Sequence, residues 1–329
     1  MRSTREVDKR MELTSQRPLV ILTGPTAVGK SALSIALAKA IGGEIVSADS
    51  MQVYRHMDIG SAKIRSEEMA GVPHHLIDVL DPTEAFNVVV FQELAEHALA
   101  EIYRRGHIPI LVGGTGFYIQ ALLYDIDFTE NDEDTALRHS LEELAHREGT
   151  EALYERLRAV DPASCESIHA NNVKRVIRAI EFYEKTGKRI SDHNKEQREN
   201  VSPYRFAYFV LNDDRERIYQ NIDRRVDQML AQGLVEEVQS LREMGCHRGM
   251  VSMQGLGYKE ILSYLEGEIT LEEAVYLIKR DTRHFAKRQL TWFRREKEVI
   301  WVQKNDFDQN SQLCLEFMQD FLREKQIIL

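Results

Sequence analysis

Residues 24–31 read Gly24-Pro25-Thr26-Ala27-Val28-Gly29-Lys30-Ser31, a complete G-x-x-x-x-G-K-[ST] phosphate-binding loop. The spacing carries its own chemistry. The glycines let successive backbone N–H groups turn inward around an anion, and a helix starting at Lys30 would point its positive end at that anion. Lys30 adds a charge and Ser31 is placed to hold a magnesium ion. The plain alternative, a glycine-rich turn without a ligand, fits the flanking sequence less well. The loop therefore predicts binding of a di- or triphosphate together with Mg2+.

The loop needs a strand before it and a helix after it, and both are legible. Leu19-Val20-Ile21-Leu22 is an unbroken apolar run, the pattern of a buried parallel strand, and Ala32 to Ala38 is a helix-forming run. Glu44 to Ala48 reads as a second strand ending at Asp49-Ser50. Phe91, Leu94, Ala95, Ala98 and Ile102 have helical spacing up to Arg104, Gly106 stops that helix, and Ile108 to Val112 makes a further strand running into Gly113-Gly114-Thr115-Gly116. Alternating strands and helices predict an α/β fold, a P-loop NTPase-like parallel sheet with helices on both faces. Ligands in such sheets lie at the carboxyl ends of the strands, so 24–31, 49–52 and 113–116 are expected in one cleft.

From 125 to 200 the chain is strongly charged and helical in pattern, with Leu137, Leu141, Leu144 and Ala145 on one face. A strand resumes over 205–211. A long amphipathic segment follows from about Asp213 to Met244, and another helix spans Leu271 to Arg295. This reads as a tail over 1–16, a core over 17–124 and 201–329, and a helical insertion over 125–200.

Composition bounds the function. The 329 residues are 43% hydrophobic, enough for a sizeable core, and no apolar stretch has the length of a membrane span. The first sixteen residues are polar and carry no signal-peptide core. Cys165, Cys246 and Cys314 form no C-x-x-C pair and leave an odd count, which argues against a disulfide framework or zinc site and for the cytoplasm. The expected state is a monomer without membrane association. A net charge of −10 argues against nucleic acid only if the charge is evenly spread.

Phosphate-loop hydrolases usually pair the loop with an acid at the end of a neighbouring strand. The strand running into Gly113-Gly114 has none, and Asp49 is the carboxylate that ends an early strand. From the residues alone, Asp49 suits a base toward an acceptor group, a carboxylate on magnesium-bound water, or a turn cap. A small-molecule kinase stays open on this reading, and an ATPase is disfavoured.

Several blocks together are more specific than the loop. The loop itself, Ser47 to Tyr54, Met57-Asp58-Ile59-Gly60, Pro73 to Asp78, Gly113 to Tyr118, Gln254-Gly255-Leu256-Gly257-Tyr258 and Ala286 to Arg294 resemble the bacterial tRNA dimethylallyltransferases in order and spacing, over nearly the whole chain. Ser61 stands where many members carry threonine. The resemblance implies transfer of a five-carbon dimethylallyl group from dimethylallyl diphosphate to N6 of adenosine 37 in the tRNA anticodon loop, with release of diphosphate. It makes Asp49 the base, puts Thr26 and Lys30 with the leaving group, and puts Thr115 at substrate, where a helix N-cap is the plain reading. By the same resemblance Asp49, Ser50, Met51, Gln52, Gln254 and Gly255 face the tRNA. Arg215 and Arg225, on the helix after the fourth strand, are candidates for diphosphate, against ordinary solvation. His74-His75 lacks a third ligand at metal spacing and reads as structural, and Trp292 and Phe293 read as core. The rivals are a prenyltransferase of free adenine nucleotides, a small-molecule kinase and a non-catalytic RNA-binding module.

The charge is not evenly spread. Between Lys279 and Lys297 eight basic residues face two acids, and between Lys174 and Arg189 six face two. A charge run is ordinarily a solvated face. Two runs in an acidic chain suggest a clamp for a phosphate backbone, with Lys174, Arg175 and Arg178 as the contacts in the insertion.

Overall fold

The computed structural model describes residues 16–126, 128, 135–197 and 199–328. The expected tail over 1–16 thus lies outside the described residues apart from Gln16. The chain divides into two compact units, Met1–Leu123 with Pro203–Leu329, and Tyr124–Ser202.

The first unit is built on one six-stranded sheet in the order β3-β2-β4-β1-β5-β6, with every neighbouring pair parallel. The strands are β1 (Arg17–Thr23), β2 (Gly43–Ala48), β3 (His74–His75), β4 (Ile108–Gly113), β5 (Tyr204–Asn212) and β6 (Val299–Gln303). β1 is central, which explains its sequence: Leu19, Val20, Ile21 and Leu22 are each 0% exposed, because helices cover both faces of the sheet. Helix α1 (Lys30–Ile41) starts directly from the loop at Gly29 and ends at Gly42, whose φ of 64° suits the left-handed cap. Helix α2 (Val88–Arg104) is opened by Asn87, whose side chain accepts from the Val89 and Val90 amides. Helix α3 (Gly116–Leu123) follows β4.

The insertion read over 125–200 falls in the second unit. It holds α4 (Thr135–Glu148), α5 (Thr150–Val160), α6 (Val173–Thr186) and α7 (Ile190–Gln197). The unit has a core of its own, made by Leu141, Leu153, Leu157, Val176, Ile177 and Ile180. Its one fully buried carboxylate among the described residues, Asp161, accepts bonds from the amide and hydroxyl of both Ser164 and Ser191.

Two expectations for the core need correction. The segment read as continuous from Asp213 to Met244 is two helices, α8 (Arg215–Ala231) and α9 (Leu234–Glu243), because Gly233 at φ 100° turns the chain between them. The strand before them is fifth rather than fourth, since the two-residue β3 pairs with Ile45 and Val46. Beyond Asp213 the chain is mainly helical, as its pattern suggests, with α10 (Tyr258–Leu265) and α11 (Leu271–Phe293), and it adds a last strand that the pattern did not mark. β6 pairs Val299–Gln303 with Tyr208–Asn212, and α12 (Ser311–Glu324) adds Cys314, Leu315, Met318 and Leu322 to the core that also contains Leu33 and Leu37 of α1. The three thiols are free, as their spacing suggests. Among the described residues no helix is long and apolar enough to cross a membrane.

Candidate active site

The phosphate loop is shaped by positions that tolerate little else. Gly24 has φ 143°, and a Cβ there would stand 2.1 Å from the Leu211 carbonyl oxygen of β5, so glycine lets the loop lie against the neighbouring strand. Ala27 and Gly29 also have positive φ, at 64° and 100°. Val28 is buried in the sheet core and anchors the loop from below. Pro25 continues the turn, and its carbonyl accepts from Lys30 Nζ at 2.8 Å, beside the Gly24 carbonyl at 2.9 Å. Ser31 stands exposed in the first turn of α1.

The strand register brings the expected segments together. Thr23 aligns with Gly113 and Ala48 with Gly113, and the bonds Thr23 Oγ1 to Gly113 O at 2.7 Å and Thr115 N to Ala48 O at 3.3 Å join the three strand ends. The Thr115 carbonyl accepts from the Tyr118 and Ile119 amides, opening α3. Asp49 Oδ1 accepts from the Met51 amide at 2.8 Å and the Gln52 amide at 3.3 Å, so its carboxylate also shapes its own turn. Met51 meets the turn before α10: a Cβ on Gly255 would fall 2.6 Å from Met51 Sδ. Ser50, Met51 and Gln52 are half-buried, while Gln254 is exposed and donates to the Arg248 carbonyl.

The electrostatics of this cleft centre on three groups that feel one another. Burial pushes the Lys30 ammonium from its usual 10.5 down to about 7; the positive Arg225 pushes the same way and Asp49 opposes both. Arg225 is likewise penalised by burial and supported by Asp49. Its Nη1 lies 3.5 Å from Thr26 Oγ1. Arg215 is exposed instead, with its guanidinium 5.1 Å over the Tyr219 ring, and Tyr219 and Ala27 of the loop both pack against the cluster of Ile218, Ile222 and Ala286.

Residues that sequence reasoning missed complete the site. Gln289 of α11 accepts from the Thr26 amide at 2.9 Å and donates to the Gly114 carbonyl at 3.0 Å, tying the phosphate loop to the turn after β4. The signal was present: Gln289 lies between Ala286 and Phe293 in the buried register of an amphipathic helix, where a carboxamide needs partners. Asn221 of α8 donates to the Ala27 carbonyl at 3.3 Å. Asp213, an acid ending β5 beside the loop, is buried and committed to protein partners: its Oδ1 accepts from the Asp214 amide at 2.8 Å and Gln309 Nε2 at 3.0 Å.

Among the described residues no group of three His, Cys, Asp or Glu could hold a metal ion by itself. The exposed Ser31 hydroxyl at the mouth of the loop suits magnesium of another kind, one that arrives on phosphate oxygens and keeps most of its water.

The two basic runs differ in the structure. On α11, Lys279 pairs with Asp227 and Arg283 with Asp223, both at 2.5 Å, and Arg280 with Asp281 at 2.7 Å. Three of the eight basic residues of that run are therefore fastened to α8 or neutralised within the run. On α6, Glu181 is taken by Arg138 and Glu184 by Arg156, both at 2.9 Å, and Arg178 feels both the Glu181 carboxylate and the Arg138 charge. Lys174, Arg175 and Arg178 are exposed. They belong to the second unit. His75 and His74 prove structural: His75 Nε2 bonds Glu44 at 2.7 Å and His74 Nδ1 the Val72 carbonyl at 2.8 Å. Phe293 is core, and Trp292 packs on Gly116 and edge-on against Phe117.

Comparison with known proteins bears on this site. Residues 52–296 match the family model described as IPP transferase. A tRNA dimethylallyltransferase of Lachnoclostridium phytofermentans is 64% identical over 312 residues, covering 95% of this chain and 99% of that protein. The crystal structure of a tRNA isopentenylpyrophosphate transferase from Bacillus halodurans is 45% identical with a TM-score of 0.71, over 94% of this chain and 98% of the other. A eukaryotic dimethylallyltransferase acting on tRNA, 30% identical, superposes with a TM-score of 0.79 over 94% of this chain and 80% of its own.

Proposed function

The chain belongs to the IPP transferase family, and from that premise we propose that it transfers a dimethylallyl group from dimethylallyl diphosphate to N6 of adenosine 37 in tRNA. A relative of this identity over nearly the whole length displaces the kinase, free-nucleotide and non-catalytic readings. The observation that carries the site assignment is the set Lys30, Arg225 and Asp49: Lys30 follows β1, Asp49 follows β2, Arg225 reaches Thr26 of the loop from α8, and the charges of Arg225 and Asp49 both act on Lys30.

That arrangement suits the chemistry of both reactants. As the allylic C1–O bond breaks, negative charge gathers on the diphosphate, where the loop amides, Lys30 and Arg225 stabilise it more than they stabilise the substrate. Thr26 joins the same set through the contact between its hydroxyl and Arg225. Magnesium held by Ser31 and diphosphate oxygens would neutralise further leaving-group charge. The N6 lone pair forms the new bond to C1, the C1–O electron pair leaves with diphosphate, and the N6 proton passes to the Asp49 carboxylate. Asp49 is suited to this role because one oxygen is fixed by the Met51 and Gln52 amides. Ser50, Met51, Gln52, Thr115, Gln254 and Gly255 would border the adenosine, and the exposed Lys174, Arg175 and Arg178 would meet tRNA phosphates.

Incubation with labelled dimethylallyl diphosphate and either tRNA or AMP tests the reading. Label is expected in tRNA, at adenosine 37 on nuclease digestion. Label in AMP alone would overturn it.

A further inference from the structure

Glu237 of α9 is engaged in an unusual way for a surface-helix carboxylate. Its Oε2 accepts from the Asp58 amide at 2.9 Å and the Ile59 amide at 2.7 Å, and its Oε1 from the Gly60 amide at 3.0 Å and the Tyr258 hydroxyl at 2.8 Å. Three successive amides turned onto one anion form a nest, and here the anion belongs to the protein. Tyr258 is fully buried and lies against Gly60, where a Cβ would stand 2.6 Å from its ring. Two sequence blocks far apart in the chain, 57–60, which has no role in the chemistry so far, and 254–258, are thus joined through one side chain on a third element.

The held turn leads back to the acceptor site. The Ser61 and Ala62 carbonyls, which follow it directly, accept from Gln52 Nε2 at 3.4 Å each. Gln52 donates its own amide to Asp49 Oδ1, as does Met51, whose thioether touches Gly255 beside Tyr258. Every link between Glu237 and Asp49 is a backbone turn or a polar contact of the 49–62 segment. We propose that Glu237 is a positioning residue for the reaction: by anchoring the 58–60 amides and Tyr258 it fixes the segment that aims the Asp49 carboxylate. The inference rests on Asp49 being the base.

A glutamine at 237 has the same shape but replaces one acceptor oxygen with an NH2 group that meets a donor on whichever side it faces. Glu237→Gln is expected to lower the single-turnover rate, with tRNA and dimethylallyl diphosphate prebound, by about 10- to 100-fold, the order expected when a reacting group is misplaced by an ångström or less. Affinity for dimethylallyl diphosphate should stay within about twofold, since the phosphate loop is untouched. In the Asp49→Asn background the same change should add less than about a twofold further loss, because both act on one group. Tyr258→Phe, which removes only one of the four bonds, should show a smaller loss with the same non-additivity, and it carries the test if Glu237→Gln does not fold. A wild-type rate in both variants, or losses that multiply with Asp49→Asn, would overturn the proposal and leave Glu237 a structural brace. Asp49→Asn at the wild-type rate would be a separate failure, removing the base and this inference with it, whereas a slow Asp49→Asn beside a normal Glu237→Gln strikes only the positioning role.

Discussion

Lys30 shows how a single residue can be read at two levels. Its position in the motif specifies a cation at the phosphate, but its protonation depends on neighbours far away in sequence. Burial and Arg225, 195 positions later in the numbering, lower it to about 7 against the usual 10.5. A bound diphosphate favours the ammonium, so binding above pH 7 must draw a proton from solution. At pH 8 calorimetry in buffers of different ionisation enthalpy should register uptake of about one proton per diphosphate bound. Affinity should fall as pH rises from 7, and Lys30→Met should abolish the uptake. Stability depends on pH with the opposite sign to affinity. The folded chain holds this proton less tightly than the unfolded chain, so the group's contribution to stability rises between pH 7 and 10.5.

At the scale of elements, the loop is held as much by helices from the end of the chain as by its own strand. Gln289 joins it to the turn after β4, and Asn221 and Arg225 reach it from α8. Gln289→Ala leaves the Thr26 amide and the Gly114 carbonyl without their partner, a loss of about 1–3 kcal/mol in thermal or denaturant unfolding. Because the loop amides must be held in place to receive the anion, affinity for inorganic diphosphate should drop by roughly tenfold. A variant with unchanged melting and unchanged diphosphate affinity would remove the clamp. At the opposite ends of the strands, Glu44 of β2 ties together Arg105, His107 and His75. Hydrogen bonding from Arg105 is the main reason its carboxyl falls from 4.5 to about 2, against the opposing effect of burial. This stability is present above pH 4.5 and is lost as pH falls through 2. Glu44→Gln should cost about 2–3 kcal/mol at pH 7 and flatten acid unfolding across that window, with turnover unchanged at temperatures where the variant is folded.

At the scale of the whole molecule, the net charge of −10 conceals where basic groups are available. Ion pairs with Asp223, Asp227 and Asp281 take up Arg283, Lys279 and Arg280, whereas Lys174 and Arg175 form no ion pair with the described residues and Arg178 is exposed beside them. Replacing Arg175 and Arg178 with alanine should weaken tRNA binding and reduce the slope of log affinity against log salt by roughly one unit per lost contact. Affinity for dimethylallyl diphosphate should be unaffected. An unchanged slope in a folded variant would shift the phosphate contacts to Lys287, Arg288 and the other basic residues at and just beyond the end of α11. The insertion carries its own core around Leu141, Leu153 and Ile180, so surface changes on α6 should leave the fold of the catalytic unit intact.

Much of the molecule was determined locally. The run Leu19–Leu22 is apolar on both faces because it is a central strand. The loop's glycines stand where φ is positive or another backbone closes in, and Asp49 and Gly113 end strands because the alternation of β and α requires it. Such features depend on periodicity and turn chemistry over a few residues, so the sequence alone was sufficient for them. It did not reveal the break at Gly233, the strand β6, or the partners of Gln289, Asp213 and Glu237. A glycine within an amphipathic pattern has no mark of its conformation, and Val299–Gln303 is strand only because β5 offers an unpaired edge. The buried Gln289 carboxamide and the half-buried Glu237 carboxylate likewise take their meaning from amides more than a hundred residues away. Tertiary structure alone decided these, since hydrogen-bond satisfaction in a closed space is a property of what surrounds a group and not of its neighbours along the chain.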